Sequence, residues 1–201
     1  PNLYLIDSHN GYKDSNNKIS PIDIDKFSAI KNHLNHYHEK IFKRGDKGCT
    51  PYNLRNNAYY KDFFIEKLVW SDIATKPKFS IIPAGIFFNN TVYMITGENI
   101  NYLCGVLNSN VIKYYFPSIA SGLGEKASRF FKIFVENIHI PEITNQNQHT
   151  VSEIEKVVGY LNDTQDQKFF EETKSKLENL VYKLYELDED EIKIIKDSIS
   201  V

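Results

Sequence analysis

Cys49 and Cys104 are the only cysteines in the sequence, and they stand far apart without CxxC spacing. That spacing argues against a structural zinc site and points to two free thiols in a reducing compartment. Long apolar runs are also missing. No stretch approaches the roughly 18 to 20 residues a membrane span needs, and the N-terminus lacks the basic and apolar regions of a signal peptide. A cytoplasmic protein with no membrane partner is expected. No Gly-rich nucleotide motif follows a strand, no GKS or GKT phosphate loop occurs, and neither a GxSxG elbow nor an HExxH pair is present. An Asn-Pro-Pro-aromatic motif, the mark of an adenine-amino methyltransferase site, is missing too. These absences point to a recognition or docking module with no catalytic residues of its own. The chain begins at Pro1 rather than Met, directly on an apolar segment, as a piece of a longer protein would.

What is present fits a soluble fold: 201 residues, 41% hydrophobic and 25% charged, suffice for one large domain or a domain with a smaller appendage. The formal net charge of −2 hides an asymmetry. Residues 1–149 carry 17 Lys and Arg against 13 Asp and Glu, a net +4, whereas residues 150–201 carry 7 against 13, a net −6. A polyanion would meet the first part, leaving the acidic last part to solvent or a protein neighbour.

Residues 3–6 (LYLI) read as a short strand and 7–20 as a polar loop. From Pro21 the spacing of Phe27, Ile30, Leu34, Tyr37 and Ile41 predicts one helix, acidic at its start and basic at its end. His33, His36 and His38 lie on it, but at 100° per residue His38 points about 160° from His36, so a metal site would need a second element. The helix runs into KRGDKGCTPYNLR, residues 43–55, where Lys43, Arg44, Lys47 and Arg55 crowd round Gly45, Gly48 and Pro51. Such a loop offers cations for phosphate, and Arg44, Thr50, Tyr52, Asn53 and Arg55 for base edges. It is equally the composition of an ordinary polar connection.

Residues 57–67 form an amphipathic element, and 67–73 and 78–83 read as strands, with Trp70 directed into the core. Asp62, Glu66 and Lys67 fall on the amphipathic element rather than on adjacent strands, which argues against a nuclease triad. Residues 85–88 and 91–96 flank Asn89 and Asn90, a hairpin signal. Residues 99–116 predict one core helix stopped by Pro117. A second basic loop, 121–132, places Lys126, Ser128, Arg129 and Lys132 beside Phe130 and Phe131, and 131–140 reads as a strand ending at Pro141. Beyond a polar boundary, 151–198 predict three helices with Phe170, Leu177, Leu180, Val181 and Leu184 on one face of the second. That stripe must pack on the first part, on an absent domain or on another chain, which leaves docking or homo-oligomerisation through these helices open.

YLIDSHNGY at 4–12, KRGDKGCTPYNLR, KLVWSDI at 67–73, LCGVLNSNVIKYYF at 103–116 and FKIFVENIHIPEI at 131–143 together resemble the TaqI-like C-terminal specificity domain of bacterial DNA adenine methyltransferases, notably type IIG restriction-modification enzymes. The tail at 177–198 is similar to that family's C-terminal helices, and 138–158 to the strand end and spacer helix of type I specificity subunits. The resemblance implies an α/β target recognition domain with a mixed sheet over 1–143 and a small helical region over 144–201. It also implies double-stranded DNA as partner, and a methyltransferase domain of the same polypeptide beside it. No cofactor is expected in this chain; S-adenosylmethionine, with Mg for any nuclease, would belong to the missing catalytic domains.

Overall fold

The computed structural model describes residues 3–120 and 128–199, and the chain divides into two compact units, 1–61 and 62–201. The first unit holds an antiparallel hairpin of β1 (Tyr12–Asp14) and β2 (Asn17–Ile19), a single 3-10 turn at Ile24–Lys26, and helices α1 (Ser28–Asn35) and α2 (His38–Lys43). Three expectations are corrected here. Residues 3–6 pair with no strand, and Leu3, Tyr4 and Leu5 are exposed. The supposed loop 7–20 contains the hairpin, whose turn is set by Ser15 at φ 51°. The long helix is broken at His36 and Tyr37: the His36 imidazole Nδ1 lies 2.8 Å from the Asn32 carbonyl, while the His36 and Tyr37 amides donate to the carbonyls three residues back. A side chain that competes for a helical carbonyl ends the helix there.

The second unit is an α/β core whose described strand pairings are all antiparallel. β3 (Lys67–Ser71) lies between β5 (Ser80–Ile82) and β6 (Val92–Ile95), and β4 (Ile73–Ala74) pairs with β7 (Ser128–Arg129). Helices α3 (Ile100–Leu107), α4 (Asn110–Ile119), α5 (Lys132–Val135), α6 (Gln148–Asp163), α7 (Gln167–Leu184) and α8 (Glu189–Ile199) complete it. Trp70 is buried as expected, its indole N–H donating to the Phe130 carbonyl at 2.7 Å. Lys67 is also wholly buried, its ammonium donating to the carbonyls of Phe63 and Pro83. Burial holds its pKa below the ordinary lysine value, against the pull of Asp62.

No hairpin forms at Asn89 and Asn90. β6 pairs with β3, and residues 85–88 are held instead by rings, Phe87 stacking on Phe63 at 4.7 Å. Asn89 still makes a turn, its side chain accepting from the Thr91 amide. The helix expected over 99–116 is two helices. Ser109 caps α4 through the Ile112 amide, and the buried Glu178 carboxylate of α7 accepts from the Asn110 amide at 2.9 Å. Burial raises the Glu178 pKa above the ordinary carboxylate value. Pro117 lies inside α4 rather than ending it. The strand expected at 131–140 is instead the turn of α5, with the Phe131 carbonyl accepting from the Phe134 and Val135 amides and the buried Val135 and Ile138 one turn apart.

The three C-terminal helices are present, and their stripe packs on the earlier part of the same unit: Leu177 and Val181 share one core with Val106, Ile154 and Trp70. Composition changes near 143/144, but compactness divides the chain at 61/62. Within the second unit α3 and α6 approach closely at Gly105, where a Cβ would stand 2.7 Å from Ile154 Cγ2 and 3.0 Å from Val158 Cγ2. Gly105→Ala is expected to lower stability by about 1–3 kcal/mol through overpacking. Gly159→Ala, with nothing within 4 Å of the added methyl, should raise it by about 0.5–1 kcal/mol by helix propensity. Thermal or urea unfolding of the two variants checks the opposite signs.

Candidate nucleic-acid interface

The basic loop of the first unit is fastened along its length to the segment 7–11. The Leu54 amide donates to the Ser8 carbonyl at 2.8 Å, Ser8 Oγ donates to the Tyr52 carbonyl at 2.7 Å, and Asn10 Oδ1 accepts from the Cys49 amide at 2.6 Å. Asn10 also reaches Asn56. Two of the motifs that carry the family resemblance are thus paired, DSHNG lying against GCTPYNLR. Gly48 serves this approach: a Cβ there would stand 2.6 Å from the Leu54 carbonyl oxygen and would overlap the Asn10 side chain. Gly45 has open space around it, so its lack of a side chain answers no internal contact.

Asn53 is the hub of this network. It is 1% exposed; its Nδ2 donates to the carbonyls of His9 (3.2 Å) and Ile22 (2.9 Å), and its Oδ1 accepts from Thr50 Oγ1 (2.5 Å) and Cys49 Sγ (3.4 Å). An amide engaged on both sides and closed to solvent has nothing left for an adenine edge, so the expectation that Asn53 reads a base is corrected: it holds the loop. Arg44 acts likewise. Its Nη2 donates to the carbonyls of Pro51 (3.2 Å) and Asn53 (2.6 Å), and its Nε is buried without a partner among the described residues. The Tyr52 hydroxyl donates to Asn35 Oδ1 at 2.7 Å, and its ring meets Phe42 edge-on.

The remaining cations lie outside. Lys43 is paired with Glu39 at 3.6 Å and Arg55 with Asp46 at 3.0 Å, all four side chains more than two-thirds exposed. Lys47 donates to the Phe42 carbonyl at the end of α2, where orphan carbonyls attract cations. Exposed pairs of this kind contribute little to stability and exchange readily for another anion. In the second unit, Lys126 lies outside the described residues and Ser128 opens β7. The Arg129 guanidinium covers the Phe131 ring at 5.0 Å, and Lys132 pairs with Glu136 at 2.5 Å.

Sequence reasoning did not foresee the role of 7–11. Its only local signal is a short polar run, and the bonds it makes span more than 38 residues. Asn53→Ala would take the amide partner from the half-buried His9 and Ile22 carbonyls and the acceptor from the Thr50 hydroxyl, at a position that is itself buried. It should cost about 2–4 kcal/mol and open the first unit to limited proteolysis, whereas Arg55→Ala should leave both measures near wild type.

Among known proteins, the chain is similar to the type II methyltransferase M.BstVI of Geobacillus stearothermophilus, with 24% identity over 187 residues. That alignment takes in 89% of this chain and spans 31% of the relative's length. The family model for the TaqI-like C-terminal specificity domain matches residues 17–141, which include the basic loop, the central sheet and α3 to α5. On that match the chain belongs to the TaqI-like C-terminal specificity domain family.

Proposed function

We propose that this chain is the DNA-recognition domain of a restriction-modification enzyme, and that the loop 43–55 is one of its contacts with duplex DNA. The observation that carries this reading is the division of labour within the loop. Asn53, Arg44 and Thr50 are consumed in shaping it, while Lys43, Lys47 and Arg55 stay at the surface. A loop whose Gly48, Cys49, Asn53 and Leu54 amides are already bonded presents those cations with less further ordering on binding. Lys43 and Lys47 would anchor to phosphate, and Arg55, once released by Asp46, has the fork geometry to read a guanine edge.

Membership of the family and similarity to a type II methyltransferase support a parent enzyme that methylates its target. In this reading a companion domain of the same polypeptide binds S-adenosylmethionine and transfers the methyl group to adenine-N6, while the present chain selects the sequence. A nuclease segment of the type IIG kind would bring its own Mg. The chain would act in the cytoplasm; among the described residues no helix is long and apolar enough to cross a membrane.

The K43Q/K47Q/R55Q variant of the intact protein should keep its thermal midpoint yet bind duplex more weakly and with less sensitivity to salt. With about −0.9 per phosphate contact, the slope of log K against log salt should become shallower by roughly 2 to 3. Wild-type affinity and slope in that variant would contradict the assignment.

A further inference from the structure

The β1–β2 hairpin, which no sequence signal announced, has two unlike faces. Side chains alternate along a strand, so Tyr12 and Asp14 share one face with their cross-strand partners Ile19 and Asn17. That face is anchored: the Tyr12 ring lies 4.6 Å from Tyr60 and 5.2 Å from His9, and Asp14 is paired with Lys61 at 2.7 Å. Gly11, at φ 80°, carries the chain into the hairpin past the Ile19 carbonyl, where a Cβ would come within 2.6 Å. The other face carries Lys13 directly opposite Lys18, both exposed.

Opposed residues of an antiparallel pair have Cβ atoms about 4.5–5.5 Å apart, and like charges so placed destabilise the pair. Nothing in this unit relieves them. Each carboxylate among its described residues has a partner elsewhere: Asp7 through Oδ2 with Tyr60, its Oδ1 being buried, Asp14 with Lys61, Asp23 and Asp25 with Lys26 and Lys31, Glu39 with Lys43, and Asp46 with Arg55. Neither Lys13 nor Lys18 has an ion-pair partner among the described residues. Two adjacent ammonium groups, fixed by an anchored hairpin and left without an internal anion, form a site for an external one. The hairpin also continues directly from segment 7–11, which is laced to the basic loop, so both belong to one hydrogen-bonded assembly.

We propose that Lys13 and Lys18 together form a second, sequence-independent contact of this domain, a clamp on the phosphodiester backbone of duplex DNA. The proposal rests on the reading of the chain as a DNA-recognition domain and adds to it a surface separate from the loop 43–55. Backbone contacts of this kind fix register without reading bases.

The test measures duplex affinity against salt for the intact protein and for its K13Q/K18Q, K13R/K18R and K47Q/R55Q variants, with thermal midpoints alongside. The clamp predicts that K13Q/K18Q binds matched and mismatched duplexes more weakly by a similar factor. Its slope should be shallower by about 1.8, with a midpoint equal to or above wild type because the repulsion is gone. K13R/K18R should keep the wild-type slope. A wild-type slope in K13Q/K18Q, with binding weakened in K47Q/R55Q, overturns the clamp while leaving the DNA reading intact. No salt-dependent duplex binding by the wild-type protein overturns both.

Discussion

The first unit depends on one buried amide. Asn53 joins three stretches of chain that are otherwise remote: its Nδ2 takes the carbonyls of His9 and Ile22, its Oδ1 takes Thr50, and its own carbonyl takes Arg44. Few large apolar side chains are buried in this unit; Ile24 is one, while α1 and α2 bury none of their residues fully. With so little apolar burial, a polar network centred on Asn53 is what specifies the conformation, because each partner left unmade at a buried position is penalised. Arg44 follows from the same constraint. A guanidinium whose Nη2 serves two loop carbonyls is a structural clamp, and the basic character of the loop as seen from outside falls to Lys43, Lys47 and Arg55.

The second unit solves a different problem. Its sheet is small, three short antiparallel strands, so the core must be completed by helices, and α6 and α7 close over α3 at Gly105. Trp70 links this core to the far side of the chain through the Phe130 carbonyl, while the Phe130 ring stacks on Phe116 at 4.1 Å and its amide donates to Asp72. Arg129 is thereby set beside an anchored residue in β7. The acidic helices are structural partners of α3 and α4, with their apolar stripe inside and their carboxylates mostly outside.

Strong local periodicity was legible in the sequence, and weak or long-range pairing was not. The three C-terminal helices could be read because Leu177, Val181 and Leu184 recur at helical spacing; the structure adds Asp166 and Asp188 as caps at the starts of α7 and α8. Trp70 in the core followed from residue type. The errors have physical causes: the apolar run at 131–140 suits a strand by composition, yet Val135 and Ile138 meet the core only through a helical turn. The β1–β2 hairpin is made of polar residues that no alternation marks. At the proposed site, charge singled out the loop 43–55 but not the roles within it, since Asn53 is held by segment 7–11, about forty residues earlier, and Arg44 by the loop's own carbonyls.

The loop's surface cations set against its internal hydrogen bonds form the central claim, and hydrogen–deuterium exchange of the intact protein with and without a mixed-sequence duplex at low salt tests it most directly. The account predicts slow exchange at the bonded amides of Gly48, Asn53 and Leu54 even without DNA, and added protection across 43–56 when duplex is present, with none gained over 148–199. Fast exchange of those amides in the free protein, or protection confined to 148–199, would contradict it.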